Sequence, residues 1–204
     1  AQLLLDLQLD MQEKNMVQQL ETGASDFGFL TNAYMSTREV SLNAWFMPFV
    51  FPTISDANEM RDAESTKKIL DTLDSQGLVA FDFVFAGNRH VLLNDGFVQS
   101  PADLKGKKLR IVGSPAMQEF WEKAGAGPTA MPLSEVYTSL QTGVIDGIDI
   151  DLDALVTEKY YENAENLTLT NQMAFPAILT MSQSSFDALS TEEIFKYNYA
   201  TFIL

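Results

Sequence analysis

Residues 108–125 read KLRIVGSPAMQEFWEKAG. Lys108 to Val112 has the short apolar run of a buried strand. Gly113 follows, then Ser114 where a helix N-cap belongs and Pro115 at the first helical position, where its missing N–H costs nothing. Met117, Phe120, Trp121 and Ala124 recur at i, i+3, i+4 and i+7, one face of a helix, and Gly125 closes it. A strand followed by an amphipathic helix is one step of the alternation that marks an α/β fold.

The same alternation extends outward in both directions. Upstream, Met16, Val17 and Leu20 form a helical face that stops at Gly23, and Phe27 to Leu30 reads as a short buried strand. Asn58 to Leu73 is polar enough for a surface helix ending near Gly77. Leu78 to Phe85, dense in Val and Phe, is a strand followed by a turn at Ala86-Gly87-Asn88. Downstream, Ser134 is expected to cap a helix that buries Val136, Tyr137 and Leu140 and ends at Gly143. Gly147 to Ile150 is the next strand. The 9 Met and 14 Phe are mostly core material. Trp45 to Phe51 is expected to be core for the most part, and it also suits the apolar side of a ligand cleft.

One motif occurs twice. LETGASD at 20–26 and LQTGVID at 140–146 share the form L-x-T-G-x-x-D, each where a helix ends and a strand begins. The repeat is either a common helix C-cap and turn or the mark of two similarly built lobes facing each other across a cleft. Hinged binding proteins close on a ligand with such lobes.

Length and composition narrow the function classes. The chain has 204 residues, no cysteine, 28 Asp plus Glu and 13 Lys plus Arg, for a formal charge of −15. That length fits one large domain or two modest ones, and 46% hydrophobic residues supply a core. The acidity argues against nucleic acid as a partner. The longest apolar stretch, around Ala44 to Pro52, is about half of what a membrane span needs. Without cysteine there is no disulfide framework, thiol nucleophile or Cys-type zinc site. Residue 1 opens without an initiator Met and without a basic n-region and cleavage site, so a signal peptide is expected to be absent from this chain. A helix start at Ser190, with Glu192 and Glu193 in its first turn, runs into the apolar Phe202-Ile203-Leu204, and the chain reads as a fragment.

Arg110 is the strongest candidate for chemistry. It lies in an apolar strand just before the helix that begins at Ser114, and ligands of α/β sheets bind beyond strand ends beside helix N-termini. An Arg there can hold a carboxylate bidentately; equally, it can be a structural Arg paired with an acid. Asn32 and Tyr34, past the strand at Phe27, are cleft candidates by the same logic, with an ordinary loop as the alternative. Arg89 and His90 follow the turn at Ala86. His90 is the single His, and without a G-x-S-x-G elbow a Ser-His-Asp triad has little to stand on. Asp149, Asp151 and Asp153 match calcium-loop positions 1, 3 and 5, but Ala154 and Tyr160 stand where Gly and Glu are needed, so the EF-hand reading fails. A half-buried strand with acids on one face fits better. A paired-carboxylate hydrolase site on Asp149 and Asp151 remains a conceivable alternative. There is no Walker loop, G-x-G-x-x-G or H-E-x-x-H. No cofactor and no metal site are expected, and no enzyme.

SPADLKGKKLRI at 100–111 with Gly113-Ser114-Pro115, PTAMPLSEVY at 128–137 and LQTGVIDG at 140–147 together resemble the solute-binding proteins of tripartite ATP-independent periplasmic (TRAP) transporters. KYYE at 159–162, LTLTN at 167–171, SFDALS at 185–190, MPFVF at 47–51 and TGASD at 22–26 fit the same pattern. The likeness covers nearly the whole chain. It implies a two-lobed α/β, periplasmic-binding-protein-like architecture with the ligand cleft between lobes. Lobe I would comprise residues 1–86 plus 177–204, and lobe II residues 87–176. It also implies a periplasmic receptor that captures a small organic acid and hands it to a membrane permease, without itself inserting in the membrane. In the family the Arg of the K-x-R strand pairs with the ligand carboxylate, here Arg110. A second Arg follows a G-x-R turn, here Arg89, 21 residues earlier. Leu133 takes the place of a ligand-adjacent Phe, and Ile150 replaces a frequent ligand-adjacent Asn. Asp149 or Asp151 is expected to assume part of that Asn's role, favouring a hydroxylated or partly cationic ligand over a simple dianion. Family members extend beyond both ends of this chain, which leaves a truncated, non-binding scaffold as a further alternative.

Overall fold

Val17 and Leu20 are buried by helix α1 (Met11–Glu21), which ends at Gly23 with φ +71°. The computed structural model describes residues 11–190 and 192. The chain continues through β1 (Phe27–Thr31), α2 (Asn32–Met35), a 3₁₀ segment (Val40–Phe46), α3 (Ile54–Glu59), α4 (Glu64–Asp71), β2 (Leu78–Asn88) and β3 (His90–Leu93). It then forms β4 (Lys108–Ile111), α5 (Pro115–Lys123), β5 (Gly127–Ala130), α6 (Leu133–Gln141) and β6 (Gly147–Ile150). Last come α7 (Leu152–Thr157), β7 (Asn166–Thr168), β8 (Ala174–Ser182) and α8 (Gln183–Asp187). The helix expected from Ser190 runs beyond the described residues, as do Phe202, Ile203 and Leu204.

The strands make two sheets, as an α/β fold of two lobes requires. One is antiparallel, in the order β1-β8-β2. The other is mixed, β5-β4-β6-β3-β7, with β4 parallel to β5 and β6 and β3 antiparallel to β6 and β7. The chain passes between the sheets twice, from β2 straight into β3 at Arg89 and from β7 to β8 through residues 169–173. The two crossings are bonded together, because Arg89 N donates to Met173 O at 2.7 Å.

The duplicated motif builds the same turn in both sheets. Thr22 Oγ1 donates to Gln18 O at 2.8 Å, and Ala24 N and Ser25 N both donate to Gln19 O. In the second copy Thr142 Oγ1 donates to Thr138 O at 2.7 Å, and Val144 N and Ile145 N both donate to Ser139 O. Gly23 and Gly143 share a φ of +71°, where glycine has no Cβ penalty. The closing aspartates then pin the incoming strand to its own sheet. Asp26 O accepts from Ser182 N at 2.9 Å, and the Asp146 carboxylate accepts from Lys108 N at 2.7 Å. The repeat is therefore a C-cap turn, and each sheet has one.

Four local expectations are corrected. The helix over 58–73 is broken: Thr53 and Asp56 form a capping box that starts α3 early, and Ala63 is extended (ψ 143°) before α4. Thr66 Oγ1, turned back onto Met60 O at 2.7 Å, holds the break. The helix assigned to a Ser134 cap begins at Leu133, with Pro132 at the cap position and Ser134 inside the first turn. The turn at Ala86-Gly87-Asn88 is absent, because β2 absorbs Phe81 and Ala86 as register irregularities and runs on to pair Asn88 with Ala174. His90 is thus a buried strand residue instead of a loop histidine. Of Trp45 to Phe51, Trp45 and Phe46 are core, with Trp45 stacked on Phe51 at 5.4 Å, but Met47, Phe49 and Val50 are exposed.

Close approach of backbone explains Gly147. A Cβ there would sit 2.5 Å from Leu92 O and against Leu93 Cδ2, at the β3–β6 pairing. Gly147→Ala is therefore expected to lower unfolding stability by about 1–3 kcal/mol. Urea denaturation measures this, and an unchanged stability would contradict it.

Candidate functional site

A guanidinium sealed from water dominates the passage between the sheets. Arg89, 1% exposed, donates from Nε to Asp149 Oδ1 at 2.5 Å, from Nη2 to Asp149 O at 2.5 Å and from Nη1 to Asp151 Oδ2 at 3.0 Å. Its carbon lies 4.4 Å from the centre of the Phe175 ring, a cation–π contact. Asp149, fully buried, also accepts from Trp121 Nε1 at 2.7 Å and from Gln172 Nε2 at 3.1 Å. Asp151 serves a helix as well, since its Oδ1 accepts from Ala154 N at 2.8 Å and caps α7. An ion pair this deep persists because its charged atoms have directed partners.

Arg110 comes from the central part of the second sheet and is 2% exposed. Its Nε and Nη2 both donate to Met131 O, at 2.9 and 2.8 Å, so a neutral carbonyl from the segment before α6 orients the fork. Tyr160 is buried nearby and donates to Leu133 O at 3.1 Å. Burial pushes its phenol ionisation upward against the opposing pull of the Arg110 charge, so it is a neutral donor. His90 is held below its usual pKa by burial first and by the Arg89 charge second. Its Nδ1 accepts from Asn171 N at 3.3 Å, which ties β3 to the second crossing.

A cavity of about 370 Å³ opens between the sheets onto these groups. On one side are Arg89 at the first crossing, Arg110 of β4 and Val112 after it, Leu133 of α6, Ile150 and Asp151 at the end of β6, and Asp153, Ala154, Thr157 and Glu158 of α7 and its end. The first sheet supplies Thr31, Val84, Phe85, Ala86, Phe175 and Ala177. Thr31 is set by Glu13, a buried carboxylate that accepts from Thr31 N at 2.6 Å and Thr31 Oγ1 at 2.9 Å. The arrangement offers charged donors at the base, acids along α7 and apolar walls.

Of the seven residues expected at the site, Arg89, Arg110, Leu133 and Ile150 line this cavity. Asp149 does not, because its carboxylate is committed to Arg89, Trp121 and Gln172 behind the wall. Asn32 and Tyr34 do not either: the chain turns into α2 directly after Thr31, so Thr31 takes the cavity position. Asn32 is fully buried with neither amide atom hydrogen-bonded, and Tyr34 packs against the core of the first sheet. The N-terminus of α5, expected beside Arg110, is also outside the lining, with Ser114 buried and its Oγ 3.4 Å from Asn43 Oδ1. The hydrolase alternative is corrected: Asp149 and Asp151 act as counter-ions of one arginine, and neither is placed as an acid–base pair. Among the described residues no group of three or more His, Asp or Glu is placed to hold a metal, and no helix is long and apolar enough to cross a membrane. Sequence reasoning misses Gln172, Thr31 and Phe175 altogether, and treats Trp121 only as core. No local pattern distinguishes them.

Comparison with known proteins identifies the family. Residues 9–194 match the model of bacterial extracellular solute-binding protein, family 7. A solute-binding protein of Chromohalobacter salexigens is 27% identical over 181 residues, 89% of this chain and 54% of that protein. The 2,3-diketo-L-gulonate-binding periplasmic protein YiaO of Escherichia coli K12 is 31% identical over 151 residues, 74% of this chain and 46% of that protein. The chain thus spans about half the length of the curated relatives it matches. A TRAP periplasmic solute binding protein from Xanthobacter autotrophicus Py2, solved with bound β-D-galacturonate, superposes with TM-score 0.85 at 29% identity. That match covers 92% of this chain and 63% of that one.

The buried His90 makes stability pH-dependent. Its folded pKa lies below that of the unfolded chain, so the unfolded state takes up a proton first as pH falls. Its contribution is complete above the ordinary histidine pKa of about 6.5 and is lost as pH falls through the folded value. Urea midpoints at pH 7.5 and pH 5 are expected to differ less in His90→Gln than in the parent; an unchanged difference contradicts this.

Proposed function

The chain belongs to family 7 of the bacterial extracellular solute-binding proteins, and from that membership we propose that it is the receptor for a small organic acid. The family is one of solute-binding proteins and not of enzymes. In this reading the protein works in the periplasm, captures its ligand between two lobes and delivers it to the membrane permease of a TRAP transporter. We assign the lobes as residues 1–86 with 177–204 and residues 87–176, meeting at the two chain crossings. Hinge closure at those crossings would shut the ligand away from water.

One observation carries the proposal: Arg110, almost fully buried, lines a cavity between the two sheets with its guanidinium plane fixed by Met131 O. A pre-oriented, desolvated guanidinium binds a carboxylate with little ordering cost. Water exclusion strengthens the pair, because the effective dielectric falls well below that of bulk water. Leu133, Ile150, Phe85 and Phe175 give the carbon skeleton an apolar seat. Arg89 lines the same wall with its charge already compensated by Asp149 and Asp151. Asp149 acts from behind as a positioning residue.

Removing one partner of such a pair costs about 2–5 kcal/mol, or roughly 30-fold or more in affinity. Titration calorimetry of Arg110→Ala against a panel of organic acids is expected to show that loss in a protein whose melting curve verifies that it is folded. Arg110→Lys, which keeps the charge without the fork, is expected to fall between the two. Unchanged affinity in Arg110→Ala overturns the assignment. The absence of any thermal shift with every acid would favour the non-binding scaffold.

A further inference from the structure

Two stretches that line the cavity are joined behind it by one buried hydroxyl. The first is α7, which brings Asp153, Ala154 and Thr157 to the lining while Leu155 anchors the helix in the core of the second sheet. The other is Met131-Pro132-Leu133, which leads into α6, places Leu133 in the lining and offers Met131 O to Arg110 Nε and Nη2. Pro132, at φ −57°, restricts the chain between those two residues. α7 ends at Thr157, and Lys159, left-handed at φ 56°, turns the chain into the 3₁₀ segment Tyr160–Glu162. That corner sends the Tyr160 ring into the same core, 0% exposed, and its hydroxyl donates to Leu133 O at 3.1 Å. A second tyrosine joins the same two elements one turn further along α6: Tyr137 donates to Glu162 Oε2 at 2.7 Å, in a bond exposed to solvent.

Resting on the receptor reading above, we propose that Tyr160 is a positioning residue for ligand binding: its hydroxyl holds residues 131–133 against the end of α7 and, through Met131 O, holds the Arg110 guanidinium in place. Tyr160 itself is outside the lining and touches no ligand. Its bond sets how far Leu133 stands from α7, and so the width of this half of the cavity. It also ties down the segment whose carbonyl orients Arg110. A binding group is effective only while the residues behind it lock its geometry. Without the hydroxyl, the 131–133 segment loses its tie to the α7 end, and Arg110 is oriented by a carbonyl that is free to shift. The exposed Tyr137 bond stands away from the lining and does not replace that tie.

Calorimetry and stopped-flow dissociation of the unmodified protein, Tyr160→Phe, Tyr137→Phe and Arg110→Ala test the inference, with D-galacturonate, D-glucuronate and succinate as probes. Phe keeps the ring in the core and removes one oxygen, and a melting curve verifies the fold. For the tightest of the three acids, Tyr160→Phe is expected to lower affinity roughly three- to tenfold, mainly through faster dissociation. Tyr137→Phe is expected to leave it near its starting value. A residue that merely fills the core would not move Arg110, so the second readout is the Arg110 Nε–H resonance in ¹⁵N spectra of the unliganded protein, assigned by its disappearance in Arg110→Ala. Its exchange with water is expected to speed up in Tyr160→Phe and to stay unchanged in Tyr137→Phe. Unchanged affinity in Tyr160→Phe overturns the inference, as does a loss of affinity with the Arg110 resonance unmoved, or an equal loss in Tyr137→Phe. A Tyr160→Phe protein that does not fold makes the hydroxyl structural and overturns it too. In each of those cases binding that still depends on Arg110 leaves the receptor reading standing. If none of the three acids binds the unmodified protein, the receptor reading falls and the inference falls with it.

Discussion

A guanidinium cannot be taken out of water alone, and the arrangement around Arg89 follows from that constraint. An uncompensated buried charge costs several kcal/mol even after relaxation. Arg89 is 1% exposed at the point where the chain leaves one sheet for the other. It needs a carboxylate from a neighbouring strand, and β6 supplies Asp149 and, one step past its end, Asp151. Asp149 in turn needs its second oxygen satisfied, and α5 and the second crossing supply Trp121 and Gln172. One charge thus gathers a helix, a strand and both crossings into a single polar network inside apolar walls. Such a network is rigid when every member is satisfied. It fixes the shape of the cavity wall, while Arg110 is oriented separately by Met131 O.

The two-sheet layout places this network where a ligand can reach it. Turns of the same construction at Gly23 and Gly143 send one strand into each sheet, β1 and β6. Residues at or just past the ends of those strands, Thr31 in one and Ile150 with Asp151 in the other, face the cavity. Ligand binding at strand ends is a general property of α/β sheets. The sequence repeat is thus local turn chemistry used twice, once in each sheet.

Local features are the legible ones. The KLRI strand, the Ser114 cap, the Pro115 start and the 147–150 strand all follow from neighbours within a few residues, so periodicity and capping residues suffice to read them. Arg110 is legible as a candidate for the same reason, being a lone charge in an apolar run. Long-range pairing is not. The acids that compensate Arg89 lie 60 and 62 residues away, and nothing in the spacing says which of 28 acids they are. Gln172 carries no pattern at all. Ala86-Gly87-Asn88 misleads because glycine and asparagine mark turns in isolation, whereas pairing with β8 makes the segment an irregular strand. Strand-end logic puts Asn32 and Tyr34 near the cleft and misses by one residue at Asn32, because Thr31 occupies the position.

The acidity of the chain is compatible with an anionic ligand because the two charges act over different ranges. Most of the 28 acids lie on solvated surface and are screened within about 8–10 Å at ordinary salt. In the proposed receptor, Arg110 acts over hydrogen-bond distance inside a cavity. Everything therefore turns on where the carboxylate sits, and a crystal structure of the protein grown with D-galacturonate tests it most directly. The carboxylate is expected across the Arg110 guanidinium, with two N–O distances of about 2.7–2.9 Å. A carboxylate seated on any other group, or a ligand outside the cavity between the sheets, would contradict it.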